Sequence, residues 1–241
     1  MKIKDIELLW LGHSSFMIKT SEILRKSRIS DSAQEHKVLD NKKTIYIDPF
    51  QISRSEPKAD VILITHSHYD HCSIADIEKI IRQGTVVVVP PDCQSKITKL
   101  ENVEMQIMIP GDEFSVEGIK IQAVPAYNIN KQHHPKSEEW QGYLVKFDKV
   151  IFYHAGDTDL VPEMQKLSGY GKKDNEFVAL FPVDGKFAMT AEEAAQAASI
   201  IKPTLAIPMH YGNVQGTKED AERFVAMCLE KGIHAKILEK S

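Results

Sequence analysis

The chain has 241 residues, of which 42% are hydrophobic and 27% are charged, a composition typical of a globular protein with a substantial core. Its formal net charge of −4, from 30 basic and 34 acidic residues, gives no electrostatic reason to expect a nucleic acid or an acidic membrane as partner. The three cysteines lack the spacing of a zinc finger or a disulfide framework, and no apolar run suits a signal peptide or a membrane span, so we expect a cytoplasmic protein.

Short segments rich in Val and Ile alternate with a few helical segments along the chain, which favours a layered α/β fold over an all-β fold. In chain order the predicted strands are Glu7–Trp10, Ser15–Ile18, Thr44–Ile47, Val61–Thr65, Thr85–Val89, Glu104–Met108, Lys120–Val124, Tyr143–Phe147, Val150–Tyr153, Val178–Pro182, Leu205–Pro208 and His234–Ile237. The predicted helices run from a cap at Ser73 to about Arg82 with Asp76 in a capping box, over Ala191–Ile201 with Thr190 and Glu193 as capping box, over Lys218–Lys231 after Thr217, and, more weakly, over Val161–Leu167.

We expect residues 1–241 to form one domain with a loop insertion at residues 21–43. That segment, Ser21–Lys43, is polar and mixed in charge and lies between two predicted strands. Such a segment indicates a long surface loop or a protruding hairpin. It is either an insertion without a role in the reaction or a lid over an active site.

The densest group of chemically active side chains follows the predicted strand Val61–Thr65. His66, His68, Asp70 and His71 supply three imidazoles and one carboxylate within six residues. His66 and His68 are two residues apart, so they point to the same side of an extended chain. These are the ligand types that Zn²⁺ and similar ions take in proteins. The spacing predicts a metal site rather than a polar turn that happens to contain histidines.

Two later segments also run from a predicted strand into polar residues. Asp157 comes just after Val150–Tyr153, next to a glycine that permits a tight backbone, and His210 comes just after Leu205–Pro208. Taken alone, Asp157 could cap a helix and His210 could be an ordinary loop residue. Taken with the first group, they complete the donors that a two-metal site requires.

These motifs resemble those of the metallo-β-lactamase superfamily. The matching motifs are His-x-His-x-Asp-His at 66–71, Gly156-Asp157-Thr158 and Pro208-Met209-His210-Tyr211-Gly212. A narrower likeness to the branch that contains the ascorbate-6-phosphate lactonase-like proteins rests on Trp10-Leu11-Gly12-His13-Ser14-Ser15, Ile47-Asp48-Pro49 and Tyr153-His154-Ala155-Gly156-Asp157-Thr158. The resemblance runs from about residue 7 to residue 214. It implies an αββα four-layer sandwich, with two facing sheets, helices outside and metal ions at the sheet edge.

The resemblance also implies a role for each matching residue. His66 and His68 would bind the first metal ion, Asp70, His71 and His210 would bind the second, and Asp157 would bridge both. Asp48 would orient the histidine loop from behind. His13 would lie near the pocket, where it either contacts substrate or ligand or has a structural role.

One position departs from the superfamily pattern. A further metal-binding histidine is usual near the end of the strand predicted at Lys120–Val124, and Asn128 stands where we would look for it. His133 or His134 could supply the missing ligand, or Asn128 could take its place weakly. Alternatively, both histidines belong to a surface loop, and the first ion is held only by the remaining ligands.

The expected chemistry is hydrolysis of an ester, lactone or phosphodiester bond in a small molecule. Two Zn²⁺ ions, or Mn²⁺ or Fe²⁺, would lower the pKa of a shared water, and the metal-bound hydroxide would attack the carbonyl or phosphoryl centre. Asp70 would be the catalytic residue that also orients the nucleophile and delivers a proton.

Two other functions are compatible with the same fold. Redox di-iron enzymes resemble this chain but have Glu at the second ligand position, where His68 stands here. A catalytically inactive metal- or ligand-binding protein would be expected to lose ligands, and the change at Asn128 gives that reading some support.

Overall fold

The computed structural model describes residues 1–21, 23–27, 36–40, 42–116, 118–172 and 174–241, with the backbone alone for 23–27 and 36–40. In chain order the strands are β1 (Lys2–Ile3), β2 (Ile6–Gly12), β3 (Ser15–Thr20), β4 (Ile23–Ser27), β5 (His36–Asp40), β6 (Thr44–Ile47), β7 (Val61–Leu63), β8 (Thr85–Val89), β9 (Val103–Ile107), β10 (Glu113–Val116), β11 (Ile119–Pro125), β12 (Gln141–Lys146), β13 (Val150–His154), β14 (Glu176–Pro182) and β15 (Leu205–Met209). The α-helices are α1 (Ile74–Ile80), α2 (Gln94–Ile97), α3 (Ala191–Ile201) and α4 (Lys218–Glu230), and 3-10 helices cover Pro91–Cys93, Lys136–Glu138 and Pro162–Leu167.

Two large sheets form the centre of the molecule. The first has the order β1-β2-β3-β6-β7-β8-β9 and the second the order β10-β11-β12-β13-β14-β15. Strands β6 to β9 are parallel to one another, as are β13 to β15, and the remaining neighbours are antiparallel. The carboxyl ends of the parallel strands in each sheet therefore lie along one edge, where ligands bind in open α/β sheets.

Alternating side chains on the strands separate two apolar cores. In β6, Ile45 and Ile47 belong to the core that the first sheet shares with the second, while Tyr46 belongs to a smaller core with α1 and α2. Phe224 of α4 joins the larger core and contacts the ring of Phe181 in β14. Helices thus cover the outer face of each sheet, which confirms the αββα four-layer sandwich.

Three predicted elements differ from the structure. The segment predicted as the helix Val161–Leu167 is a 3-10 helix at Pro162–Leu167. The predicted strand His234–Ile237 makes a single bridge, from Ala235 to Ala206, because the chain then crosses to the first sheet, where Lys240 bridges Trp10.

The third difference is the start of α1. Ser73 occupies the cap position, but its hydroxyl donates to the side chain of Asp76, and Asp76 accepts the backbone N–H groups of Gln51 and Ile52 instead of completing a capping box. The box predicted at Thr190 and Glu193 is present with both hydrogen bonds.

Within residues 21–43, β4 and β5 pair as an antiparallel two-stranded sheet. Residues 28–35, which join the two strands, lie outside the described residues. The predicted role of the insertion as a lid falls on these residues and stays a prediction. Over the part of the chain that the structure describes, no helix combines the length and the apolar character that crossing a membrane requires.

Candidate metal centre

The strand ends at one edge of the two sheets bring the predicted site residues together. The first sheet supplies side chains that follow β2, β6 and β7, and the second supplies side chains that follow β11, β13, β14 and β15. In chain order the residues at this edge are His13, Asp48, His66, His68, Asp70, His71, Asn128, His134, Asp157, His210 and, in addition to the predicted ones, Asp184. All are buried except His68, which is half-buried.

Asp48 fixes the start of the histidine loop. One of its carboxylate oxygens accepts the backbone N–H of Thr65 at 2.8 Å, and the other accepts the Thr65 hydroxyl at 2.7 Å and His71 Nδ1 at 2.7 Å. The Thr65 hydroxyl has given its only proton to Asp48, so it accepts a hydrogen bond from His66 Nδ1 at 2.9 Å. Asp48 thus sets the tautomer of both histidines and turns their Nε2 atoms away from itself. His71 Nε2 has no hydrogen-bond partner, and His66 Nε2 lies 3.1 Å from His68 Nδ1.

His134 is oriented in the same way from the opposite sheet. Its Nδ1 lies 3.1 Å from the Phe187 carbonyl and 3.2 Å from Asn128 Oδ1, and both are acceptors, so the proton is on Nδ1. Asn128 also donates its amide to Asp159 and to the Phe187 carbonyl. The Asn128 side chain is therefore occupied in holding His134, whose free Nε2 points into the site.

Asp157 is the centre on which the imidazoles converge. Its Oδ2 lies 3.0 Å from His210 Nε2, 3.4 Å from His134 Nε2, 3.5 Å from His71 Nε2 and 4.0 Å from His66 Nε2. On the far side of His210, Asp184 Oδ2 lies 3.2 Å from Nδ1. The second sheet thus orients His210 with a carboxylate, as the first sheet orients His71.

The donor atoms fall into three compact groups in which all ligand atoms lie within 4.8 Å of one another. One group is His66, His68 and His134, and another is His66, His71 and Asp157. The third is His13, Asp70, His71 and His210, in which His13 Nε2 lies 3.1 Å from Asp70 Oδ2. His13 therefore belongs to the cluster itself, a placement that the sequence left open between a pocket residue and a structural one.

The electrostatics of the cluster favour a bound cation. Burial holds the pKa of His66 well below its usual range and lowers the pKa of His134 to about 4, so both present neutral lone pairs. Burial opposes the charge on Asp157, yet His210 and His71 hold its pKa well below the usual range. Burial also opposes the charge on His210, but Asp157 and Asp184 raise its pKa to about 10. A buried carboxylate of this kind requires positive charge beside it, from protons or from metal ions.

Buried polar atoms without a hydrogen-bond partner give an independent test of whether a metal fits. Among the described residues these include Nε2 of His71, His134 and His210 and Oδ1 of Asp157. Leaving a buried donor or acceptor unpaired costs about 1–3 kcal/mol each, so such atoms gather only where another group binds. Imidazole nitrogens and carboxylate oxygens are ligands for Zn²⁺ and similar ions, and the donor set therefore fits divalent metal.

Some of the strained backbone of the molecule lies at the same edge. His13, Asp48 and His210 all have left-handed backbone, with φ of 53°, 46° and 60°. This conformation is uncommon for residues other than glycine and costs about 1–3 kcal/mol each. Gly156, beside Asp157, has φ of 67°, and a Cβ there would lie 3.0 Å from the Gln141 carbonyl oxygen. The tight turns aim the side chains into the site at the expense of local stability.

Sequence reasoning missed the aromatic residues around the cluster. The Trp140 ring centroid lies 4.9 Å from those of His66 and His68 and 5.4 Å from that of His134. Tyr69 and Phe187 line the pocket that opens above the donors. Trp140 ends the polar loop after β11, and its nearness to the histidines depends on the path of that loop, which carries no local signal.

Two histidines near the site, His133 and His154, take no part in the donor groups. His133 is exposed and lines the pocket with its ring centroid 4.7 Å from that of Phe187. His154 is buried in β13, where its Nε2 donates to the Ser14 carbonyl and its Nδ1 accepts the Gly156 N–H. His154 therefore links the two sheets and does not face the donor cluster.

Comparison with known proteins agrees with the fold and the donor cluster. Residues 37–210 match the family model described as beta-lactamase superfamily domain. A UPF0173 metal-dependent hydrolase of Thermococcus onnurineus is 34% identical over 234 residues, which cover 94% of this chain and 93% of that protein.

Solved structures give the same relationship. A Parabacteroides distasonis protein assigned as a metal-dependent hydrolase has a TM-score of 0.76 and 28% identity, covering 98% of this chain and 94% of its own. A di-iron β-hydroxylase of Streptomyces venezuelae, with a TM-score of 0.70 and 13% identity, covers 99% of this chain and 53% of its own and shares the fold alone. The sequence and structural matches together show that this chain belongs to the beta-lactamase superfamily, among its metal-dependent hydrolases.

Proposed function

We propose that the protein hydrolyses an ester, lactone or phosphodiester bond in a small molecule with two divalent metal ions bound at the candidate centre. The convergence of His66, His71, His134 and His210 on the buried carboxylate of Asp157 carries this proposal. No simpler structural role accounts for so many buried ring nitrogens without partners.

The donor groups suggest how the ions would be shared. The first ion would be held by His66, His68 and His134, and the second by Asp70, His71 and His210. Asp157 would bind both, since its Oδ2 faces donors of each group. A set this rich in imidazole favours two Zn²⁺ ions, with Mn²⁺ or Fe²⁺ as substitutes.

When bound, the two ions supply a water of lowered pKa and stabilise the negative charge that develops on the reacting centre. The chain itself positions the reactants. Asp70 lines the pocket and accepts a hydrogen bond from His13, which leaves its second oxygen to orient the attacking water and to return a proton to the leaving oxygen. Trp140 closes one side of the histidine cluster and limits access of bulk water.

Two alternatives are less well supported. An inactive binding protein would be expected to lack a metal ligand. Here His134 offers a donor where the usual histidine is missing, and Asn128 holds it there. A redox di-iron enzyme would have a carboxylate at the second ligand position, where His68 stands here. The narrower likeness to the ascorbate-6-phosphate lactonase-like branch and the cytoplasmic location remain predictions.

Substitution of the central donors tests the proposal. We expect His66→Ala and Asp157→Ala each to lower turnover of a lactone, ester or phosphodiester by roughly a thousandfold or more in metal-loaded protein, while circular dichroism shows a retained fold. His234→Ala is the control, because His234 is exposed and lies outside the donor groups. Full activity in either site variant would refute the assignment.

A further inference from the structure

The pocket above the candidate centre has a composition that bears on the substrate. Its volume is about 250 Å³, which suits a small molecule. The donor residues form its floor, and Tyr69, His133, Phe187 and Val214 form the rest of its lining. Tyr69 is 66% exposed, which is unusual for a large aromatic residue, and its ring meets the edge of Phe50 at 6.0 Å between centroids. The part of a substrate that extends away from the floor therefore meets aromatic and aliphatic surface.

The charged residues around the pocket also favour an uncharged substrate. In the described part of the chain, the residues that line it include no lysine or arginine. Lys131 is engaged by Asp159 at 2.5 Å, and Lys96 donates to the Ser67 carbonyl at 2.5 Å. Lys186 is exposed, and its Nζ lies 4.7 Å from the Phe187 ring centroid. The lining residues themselves thus offer a phosphate or carboxylate tail no lysine or arginine, the partners that are usual for anion recognition, and the Lys186 ammonium lies beside the lining, against the Phe187 ring.

We propose that the substrate is a carboxylic ester or lactone whose acyl group is apolar or aromatic and carries no anionic tail. This proposal rests on the proposed function. Hydrolysis forms a bond from the water oxygen to the carbonyl carbon and breaks the bond from that carbon to the ester oxygen. One proton of the water passes to the leaving oxygen, the other is released to solvent, and the acyl group leaves as a carboxylate. The apolar acyl group packs on Phe187 and Tyr69, which removes its surface from water.

Phe187 is the residue best suited to a test because its backbone, not its side chain, holds the site. The Phe187 carbonyl accepts from Asn128 and His134, and its N–H donates to Asp184. Phe187→Ala therefore removes the ring from the pocket wall while the backbone contacts that orient His134 remain. Leu229→Ala provides a matched control, because Leu229 is 55% exposed at the end of α4.

The experiment compares p-nitrophenyl butyrate with p-nitrophenyl hemisuccinate in metal-loaded protein. The two esters share a leaving group and a four-carbon acyl chain and differ in the terminal carboxylate. We expect kcat/KM to be about tenfold higher for the butyrate, and Phe187→Ala to reduce this preference to about twofold or less. Leu229→Ala should keep the tenfold preference. Equal or better use of the hemisuccinate by the natural protein, or an unchanged preference in Phe187→Ala, would overturn the proposal.

A binding measurement separates failure of this proposal from failure of the proposed function. N-phenylbutyramide, an amide with the same acyl group, is titrated calorimetrically into metal-loaded protein. We expect Phe187→Ala to bind it about tenfold more weakly than the natural protein, and Leu229→Ala to bind it equally well. Equal affinity in the natural protein and Phe187→Ala would overturn the pocket assignment. Loss of affinity in Phe187→Ala, combined with no hydrolysis of any ester, lactone or phosphodiester, would support the assignment and overturn the proposed function.

Discussion

At the scale of single residues, Asn128 and His134 show which parts of the candidate site can be predicted from the sequence. The candidate donors at 66–71 could be proposed from the sequence because they are close in the chain and each residue type is a known metal ligand. The departure at Asn128 was also visible, but the sequence left several replacements open. The choice depends on the loop after β11, which returns so that the N–H groups of Asn128 and His134 bond across it. That return is a tertiary contact with no signature in local spacing.

The adjacent histidines provide a matched test of the first metal position. We expect His134→Ala to lose one of two bound ions, because only His66, His68 and Asp157 remain to hold the first. His133→Ala should keep both, because His133 is exposed and outside the donor groups. Metal analysis of the two dialysed variants is the measurement. Equal metal content in both variants would contradict the assignment of His134.

His13 is expected to support the second metal position through Asp70. Burial lowers the pKa of His13 to about 4, so the ring is neutral and its Nε2 can donate to Asp70. Loss of such an orienting partner typically weakens metal affinity by about 10–100-fold. We expect that loss in His13→Ala, and partial recovery in His13→Gln, which retains a donor. Competition with a chromophoric chelator measures the affinity, and an unchanged value in His13→Ala would remove His13 from this role.

At the scale of elements, the strand ends were easier to predict than the contacts between loops. The predicted strands Thr44–Ile47 and Thr85–Val89 match β6 and β8, because their Thr, Val, Ile and Tyr residues suit a strand buried on both faces. Asp76 is the contrary case. Its spacing from Ser73 predicted a capping box, but its carboxylate binds the loop after β6, which no local pattern could indicate.

Removal of the Asp76 carboxylate should loosen that loop. We expect Asp76→Ala to lower the free energy of unfolding by about 2 kcal/mol at neutral pH, because the buried N–H of Ile52 and the partly buried N–H of Gln51 lose a charged acceptor. Urea unfolding measures it, with Glu78→Ala as control on the exposed side of α1. An equal, small effect in both variants would contradict the role of Asp76.

The same residue gives a pH dependence of defined sign. Burial opposes the charge on Asp76, but Lys79, Ser73 and the two backbone N–H groups lower its pKa below 3.8. When folding lowers the pKa of a carboxyl group, the ionised group stabilises the folded protein at pH values above the pKa of the unfolded chain. That stabilisation is lost as the pH falls below this value towards the pKa of the folded state. The difference in unfolding free energy between natural protein and Asp76→Ala should therefore be full at pH 7 and shrink below about pH 4. A difference that grows in acid would contradict the assignment.

At the scale of the whole molecule, the candidate centre joins the two sheets. The first sheet contributes His13 and the loop of residues 66–71, and the second contributes His134, Asp157 and His210. The sandwich and this edge were predictable from the superfamily resemblance. The aromatic pocket was not, because Tyr69, Trp140 and Phe187 come from separate loops that meet only in the folded chain.

Bound metal should therefore stabilise the sandwich. At an ion concentration of about 1,000 times the dissociation constant, binding contributes about 4 kcal/mol per site. With two sites, we expect chelation to lower Tm by roughly 20 °C in a chain of this size. Differential scanning calorimetry of the natural protein and Asp157→Ala measures this. The variant should respond much less, and an equal response would show that the chelator acts elsewhere.

Metal content per chain is the most direct test of the central claim, that one His and Asp cluster holds two divalent ions for hydrolysis. Purified protein loaded with Zn²⁺ or Mn²⁺, dialysed and analysed by inductively coupled plasma mass spectrometry, should retain about two ions per chain, as a two-metal site requires. Folded protein that retains none would contradict the account.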